Sequence, residues 1–417
     1  MGKEKAIIIG AGIVGLSTAY YLHQRGVDVE IIDAGDGNNN CSFGNAGYIS
    51  PSHLIPLASP GIISQGLRWM LNPESPFYIK PRLNADLIRW GWLFKKASTS
   101  ARVNAAAPVL KDLMVKSQTL YEEIIRDENI QAGYDHSGLL MICKTKESLH
   151  HEKELVNMAK SFGLDAEILT REETEQLEPH VRYEMEGSVY FGCDAWMTPH
   201  IFMRQFQNRL QEVGVKISYG ERLEELIKSE GQITEIVTSK GKHQADHFVI
   251  TAGAWSPLLA RQIGLRIPLQ GGKGYSFMLT NPPKMTRLPS ILVEGRLATT
   301  PMVDGLRFAG TMELSGINHD INQNRLNGII KSIREFMPDF REVDFSDIKP
   351  WAGLRPCTPD GLPYIGNTKA ARNLYVGTGH AMLGWTLGPA TGLLIAEKIT
   401  SKKMSIDSPL ISVDRYA

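Results

Sequence analysis

The sequence predicts an α/β fold, α+β over the whole chain, in which a parallel sheet and a second, mainly antiparallel sheet are interleaved. Three observations predict it. The chain opens as strand, glycine turn, helix and strand between Ala6 and Asp33. Its middle holds short alternating strands around Gly231 and Gly241, as a small antiparallel meander does. Strand and helix patterns then alternate to the C-terminus, so two units each visited more than once fit better than two consecutive ones. At 417 residues the chain can bury two sizeable cores.

Residues 6–9 are a short apolar run of the kind buried in a parallel sheet. Val14, Leu16, Ala19, Tyr20 and Leu22 suit a helix over 13–25, which Gly26 ends. A second strand over 29–33 completes a right-handed βαβ unit. Residues 35–60 are rich in Gly, Asn, Ser and Pro and form a loop system of functional length. The stretch 61–97 carries Trp69, Trp90, Trp92 and Phe94. Helices are expected at 111–129, 147–162, 200–213 and 324–336, and strands at 138–144, 215–218, 275–279 and 306–311. Residues 248–251 return the chain to the first sheet, just before Ala252 and Gly253. A strand over 373–377 and a helix over 389–399 close the chain, with Gly388 ending a loop and Pro389 as first helical residue. One domain is expected over 1–55, 145–180, 196–266 and 346–417, the other over 56–144, 181–195 and 267–345.

Composition excludes several classes. Lys+Arg and Asp+Glu both number 45, so no concentrated basic field for nucleic acid is expected. The 4 cysteines form no C-x-x-C pair, which argues against a zinc site or disulfide framework and for reduced thiols; no metal is expected. Met1-Gly2 resembles a myristoylation start, but Ala6 replaces the required Ser or Thr. The first strand begins almost at once, and no apolar run reaches the roughly 18–20 residues that span a bilayer. A cytoplasmic protein without a secretory leader is expected.

Gly10-x-Gly12-x-x-Gly15 lies between the first strand and its helix. Gly10 allows the tight turn, Gly12 lets backbone approach a pyrophosphate, and Gly15 lets helix and strand pack closely. Asp33 ends the second strand, where a carboxylate accepts hydrogen bonds from ribose hydroxyls. The motif points to a dinucleotide but does not decide between FAD and NAD. At the other end, the Gly377-Thr378-Gly379-His380 turn leads through Gly384 to a helix. Such a helix N-terminus, aimed at a flavin, would stabilise the reduced ring; a purely structural turn is the alternative.

Further segments join these two: Ser42-Phe43-Gly44-Asn45-Ala46-Gly47, Ala252-Gly253-Ala254-Trp255, Gly272-Lys273-Gly274-Tyr275, Arg307-Phe308-Ala309-Gly310 and Trp351-Ala352-Gly353-Leu354-Arg355-Pro356. Together they resemble the D-amino-acid oxidase superfamily of FAD enzymes, most closely its D-amino-acid dehydrogenase branch, over nearly the whole chain. The resemblance implies a Rossmann-type FAD domain and a second, antiparallel-sheet domain covering the flavin ring. It implies FAD contacts at Gly10, Gly12, Ile13, Val14, Gly15, Asp33 and Ala34. It adds Ser42, Gly44, Asn45, Ala46 and Gly47 along the pyrophosphate and ring, with Ala252 and Gly253. Gly379, Met382, Leu383, Gly384, Trp385 and Thr386 would hold the pyrimidine end. The usual acid-then-Arg ending of the second strand is absent, since Ala34-Gly35 follows Asp33.

Arg355 is the expected holder of the substrate carboxylate, because a guanidinium fork pairs bidentately with it; a structural pairing with an interface acid is the alternative. Tyr275 and His53 are further expected substrate contacts, although His53 also reads as a solvent-exposed loop residue. His380 is either a hydrogen-bonding group near the flavin or a satisfied structural histidine. Trp255 and Trp351 read as packing residues.

The resemblance implies hydride transfer from the α-carbon of a D-amino acid, or of a D-proline or hydroxyproline derivative, to flavin N5. No catalytic base is required. Electrons would pass to a quinone or another carrier. An oxygen-using glycine or sarcosine oxidase and a non-catalytic dinucleotide-binding protein are the alternatives. Residues 61–97 invite a peripheral contact with the inner face of the cell membrane, against a helical cover on the substrate domain.

Overall fold

The computed structural model describes residues 3–417 apart from Leu71 and Pro73; the reading of Met1-Gly2 lies outside them. A six-stranded sheet runs in the order Tyr364–Thr368, Ala371–Thr378, His247–Ile250, Lys5–Ile9, Asp28–Ile32, Lys216–Ser218. All its pairs are parallel except the hairpin of the first two strands. Lys5–Ile9 lies at its centre and is buried from Ala6 on, which is why it reads as an unbroken apolar run. The helix Ile13–Gln24 packs against the helix Gly384–Ile399. That approach requires small residues: a Cβ at Gly392 would lie 2.5 Å from the Ser17 carbonyl carbon. A Cβ at Gly15 would lie 1.9 Å from the Gly10 oxygen.

The second sheet has nine strands, in the order Trp351–Cys357, Gln270–Leu279, Gly305–Leu314, Leu297–Met302, Ser290–Leu292, Leu139–Cys143, Gly187–Phe191, Glu167–Thr170. Phe77–Ile79 pairs in parallel with Gly305–Leu314 at its side. The helix Gln323–Phe336 closes a core on one face, built from Tyr275, Phe277, Phe308 and Phe340. The expected meander is a separate antiparallel sheet of Leu223–Ser229, Gln232–Thr238 and Gly241–His243.

The structure departs from the expected elements at two helices. Ser100–Asp127 starts well before residue 111, capped by Thr99 and with Pro108 inside it. The C-terminal helix begins at Gly384, not Pro389. Proline has no N–H for the carbonyl four residues back. Here the Tyr121 hydroxyl donates to that carbonyl, Trp385 O, at 2.7 Å, and the Ala390 N–H is taken by Ser117 Oγ at 3.2 Å. The helix therefore runs through its proline.

Hydrogen bonding also corrects the expected domain division. Glu167–Thr170 pairs with Gly187–Phe191, so 145–180 belongs with the nine-stranded sheet. Trp351–Cys357 pairs with Gln270–Leu279 in the same sheet. Conversely, Ser100–Asp127 packs on Gly384–Ile399 beside the six-stranded sheet, through Leu113, Tyr121 and Trp385. Among the described residues no helix is long and apolar enough to cross a membrane.

Candidate active site

A cavity of about 1200 Å³ runs between the two sheets, from the first glycine turn to Arg355 and on to the helix Ile62–Met70. That exceeds the roughly 300–1,000 Å³ of a small-molecule pocket and suits a dinucleotide with a substrate beside it.

At one end, the N-cap of the helix Ile13–Gln24 is Gly12, which has no side chain of its own to cap it. A Cβ at Gly12 would meet nothing closer than Ser42 Oγ at 3.5 Å, so the backbone there faces open space. Gly10 is held at φ +113, a conformation glycine alone adopts easily. The Ile13 N–H donates to Ser42 Oγ at 3.0 Å, which ties the 42–47 loop to the glycine turn. Asp33 orders the rim by accepting from the Ala11 N–H at 2.6 Å and the Gly35 N–H at 2.7 Å. Val14, Ala34, Ala252 and Gly253 line the same end, and Glu221 closes it from the meander side. A helix N-terminus at a glycine turn, an approachable glycine and an adjacent carboxylate fit the pyrophosphate and ribose of FAD.

In the middle, the 42–47 loop is pinned to the nine-stranded sheet by its own carbonyls. Arg307 Nη1 donates to Phe43 O at 3.0 Å and Asn45 O at 2.7 Å. Thr300 Oγ1 donates to Ala46 O at 2.7 Å, and Ser276 Oγ to Gly44 O at 3.0 Å. Gly44 is needed because a Cβ there would lie 2.3 Å from the Trp351 ring. Gly47 adopts φ +87 beside Met197 O. Trp351 thus packs on the loop, and its indole N–H donates to Asn39 Oδ1 at 2.6 Å. Trp255 stacks on His319 with ring centroids 6.0 Å apart. Facing this loop, Gly379 turns the chain at φ +83, and Met382, Leu383 and Gly384 line the cavity where an uncapped helix begins. Thr386 Oγ1 donates to Tyr48 O at 3.0 Å, while the Trp385 ring is buried against Tyr121 and Phe202.

Arg355 lies at the far side of this space. Its guanidinium rests on Gly274, where a Cβ would come 2.0 Å from Nη1, and Nη1 donates to Thr311 O at 2.6 Å. Among the described residues no carboxylate pairs with it, so the interface-acid alternative is not what the structure contains. Burial lowers its pKa from the usual arginine value, yet a guanidinium stays charged. A buried cation without a counter-charge is costly unless a ligand supplies one.

Three expected contacts need correction. His53 is not an exposed loop residue: it is half-buried, lines the cavity, and burial lowers its pKa. Its Nδ1 lies 3.5 Å from Ser52 Oγ, which donates to buried Asp194 at 2.7 Å. Tyr275 sits in a strand whose alternate residues Gly274 and Ser276 face Arg355 and Gly44. Its side chain therefore points to the other face, where the hydroxyl donates to Glu313 at 2.8 Å. His380 is buried with Nε2 2.9 Å from Thr391 Oγ1, and desolvation drives its pKa down to about 3. It is a neutral, satisfied structural group. Sequence reasoning missed the roles of Arg307, which stands in a quoted motif, of Ser276, which follows one, and of Thr300, which no signal in the sequence marks. No metal-binding cluster occurs among the described residues.

The fold and this cavity define a flavoprotein oxidoreductase class, and comparison assigns the family. The model of the DAO family, described as FAD dependent oxidoreductase, matches residues 5–398, so the chain belongs to that family. It is similar to the D-amino acid dehydrogenase of Granulibacter bethesdensis, 34% identical over 99% of this chain and 100% of that protein. The D-amino acid dehydrogenase of Helicobacter pylori is 32% identical over 94% of each. Among solved structures, glycine oxidase from Geobacillus kaustophilus shares the fold at a TM-score of 0.80 and 19% identity, covering 100% of both chains. L-proline dehydrogenase from P. horikoshii does so at 0.76 and 18% identity, over 99% of this chain and 98% of its own.

Proposed function

We propose that this protein is an FAD-dependent dehydrogenase of D-amino acids, with D-proline and hydroxyproline derivatives within its substrate class. One observation carries the reading: Arg355 presents a charged, unpaired guanidinium to the cavity, on a glycine that leaves room for nothing larger. A substrate carboxylate supplies the missing counter-charge and fixes the α-carbon. The dehydrogenase name of relatives at 30–34% identity supports it.

The FAD contacts we assign are Gly10, Gly12, Ile13, Val14, Gly15, Asp33 and Ala34 at the nucleotide end, with Ala252 and Gly253. Ser42, Gly44, Asn45, Ala46 and Gly47 lie along the centre, and Gly379 and Met382 to Thr386 at the ring. The six-stranded sheet forms the cofactor half and the nine-stranded sheet the substrate half. When bound, FAD supplies the two-electron acceptor that takes the hydride from the α-carbon. The residues position. The uncapped N-terminus of Gly384–Ile399 favours negative charge beside it, and His53, kept largely neutral by burial, faces the amine side without adding a competing positive charge. The pinned 42–47 loop excludes water.

For the acceptor we propose a quinone or another carrier reached at a membrane face. The helix Ala85–Ala97 lines the cavity through Trp90 and Phe94 and turns Ile88 and Trp92 outward. Lys96 Nζ sits 3.5 Å from the Trp92 ring centroid, the aromatic-and-lysine pairing suited to a bilayer surface. Peripheral attachment at the inner face of the cell membrane follows.

Anaerobic addition of a D-amino-acid panel, with D-proline and cis-4-hydroxy-D-proline included, tests the reading. Bleaching of the flavin bands by members of the panel, with slow return in air and fast return with an added quinone, is expected. Flavin that no member bleaches would overturn it, and fast reoxidation by air alone would make the protein an oxidase.

A further inference from the structure

Beyond Arg355 the cavity continues across the nine-stranded sheet over Ala298, Ile291 and Met141, under the helix Ile62–Met70. Apolar side chains line this stretch, but its end is not apolar. Arg296 stands there in the turn joining Ser290–Leu292 to Leu297–Met302, with its N–H bonded to Val293 O at 3.2 Å. Its φ of +46 is in the left-handed region, which a long side chain rarely occupies. The guanidinium carbon sits over the Trp69 ring, 4.2 Å from its centroid. Among the described residues the guanidinium makes no hydrogen bond or ion pair, and Arg296, exposed, lines this end of the cavity. Glu152, 7% exposed, lines the same end, and its Oε2 has no hydrogen-bond partner. Burial raises the Glu152 pKa, against the opposing charges of His151 and Arg296, so this carboxyl protonates more readily than an exposed one.

The two arginines line one cavity. Arg355 is fixed to Thr311 O, while Arg296 O would sit 3.4 Å from a Cβ on Gly310, the residue before Thr311. A polar end this far from the carboxylate anchor meets the substrate's side chain.

We propose that Arg296, stacked on Trp69 and backed by Glu152, is the specificity-determining end of the pocket and selects D-amino acids with an acidic side chain. The inference rests on the reading of the chain as a D-amino acid dehydrogenase. A carboxylate there takes a bidentate pair from the guanidinium, which the Trp69 ring helps to hold in place, and one hydrogen bond from the Glu152 carboxyl when it is protonated. Removal of that charged contact costs affinity for the acid and spares neutral side chains of equal size.

The test compares D-glutamate, D-glutamine, D-norvaline and D-lysine as reductants of the FAD-loaded protein with an artificial electron acceptor. For the native protein kcat/KM is expected to favour D-glutamate over D-glutamine by about tenfold or more. In Arg296→Met that ratio falls to near one through a higher KM for D-glutamate, with kcat changed little. Glu152→Gln, whose amide can still donate, retains most of the preference. The visible flavin spectrum of each variant reports that it is folded. Equal use of D-glutamate, D-glutamine and D-norvaline, or a D-lysine preference that Glu152→Gln abolishes, overturns the proposal and leaves the dehydrogenase reading standing. If no D-amino acid bleaches the flavin, both fall together.

Discussion

Arg355, half-buried, and His380, buried, are brought together by the bridge between Cys357 and His380, and their surroundings give them opposite characters. Arg355 keeps its charge and has no carboxylate partner, so its charge is available to a ligand. Arg355→Ala should retain FAD and its spectrum but lose about ten- to a hundredfold in kcat/KM, chiefly through KM, the worth of hydrogen bonds to a charged group. Saturation kinetics like those of the native protein in that variant would remove Arg355 from the site. His380 instead is held neutral, with a folded pKa of about 3 against 6.5 when exposed. The unfolded chain therefore takes up a proton between those values that the folded one refuses. Stability is complete above pH 6.5 and falls as the pH drops toward 3. Relative to His380→Gln, the native protein should lose about 2 kcal/mol between pH 7 and pH 5. Parallel denaturant midpoints of the two proteins across that range would show the histidine to be ionisable in place.

At the scale of elements, the helix Gly384–Ile399 depends on a partner outside itself. Pro389 leaves the Trp385 carbonyl without its helical donor, and Tyr121 from the helix Ser100–Asp127 replaces it at 2.7 Å. Tyr121→Phe should cost about 1–3 kcal/mol, the penalty of an unpaired buried carbonyl. A thermal melt shows it as a fall of several degrees, with flavin affinity reduced because the same helix begins at the cavity. An unchanged melting temperature would mean that water or a backbone shift satisfies the carbonyl. The dependence explains why this helix start was misplaced from sequence. Gly388-Pro389 reads locally as a loop end and a first helical residue, whereas the donor that lets the helix pass lies 264 positions away.

For the whole molecule, one helix joins the cavity to an apolar surface. Ala85–Ala97 buries Trp90, whose indole N–H donates to Cys357 O at 2.9 Å, next to Arg355 in the chain. Leu83, Ile88 and Trp92 around it are 102%, 64% and 55% exposed, a contiguous cost that contact with a bilayer would relieve. The triple change Leu83→Ser, Ile88→Ser, Trp92→Ser should abolish co-sedimentation with anionic phospholipid vesicles while anaerobic flavin reduction by substrate persists. Equal sedimentation of both proteins would confine this face to another role.

Much of this molecule was legible in the chain because the signals are local. The glycine turn, its helix and the buried strands follow from backbone conformation and periodicity: Gly10 is dictated by its own positive φ and Gly15 by the Gly10 oxygen a few residues back, although a Cβ on Gly10 would also meet Thr251 from a distant segment. The resemblance reached Arg355 through the same kind of contiguous motif. What tertiary structure alone decided is direction and company. Tyr275 and Gly274 are neighbours in sequence, yet the pleat sends one to Glu313 and leaves the other beneath Arg355. His380 lines the cavity yet pairs its Nε2 with Thr391, 145–180 joins the second sheet, and Arg296 lines the same pocket as Arg355. Each depends on which distant segment packs beside it, and a side chain's charge and partners are set by that packing, not by its neighbours along the chain.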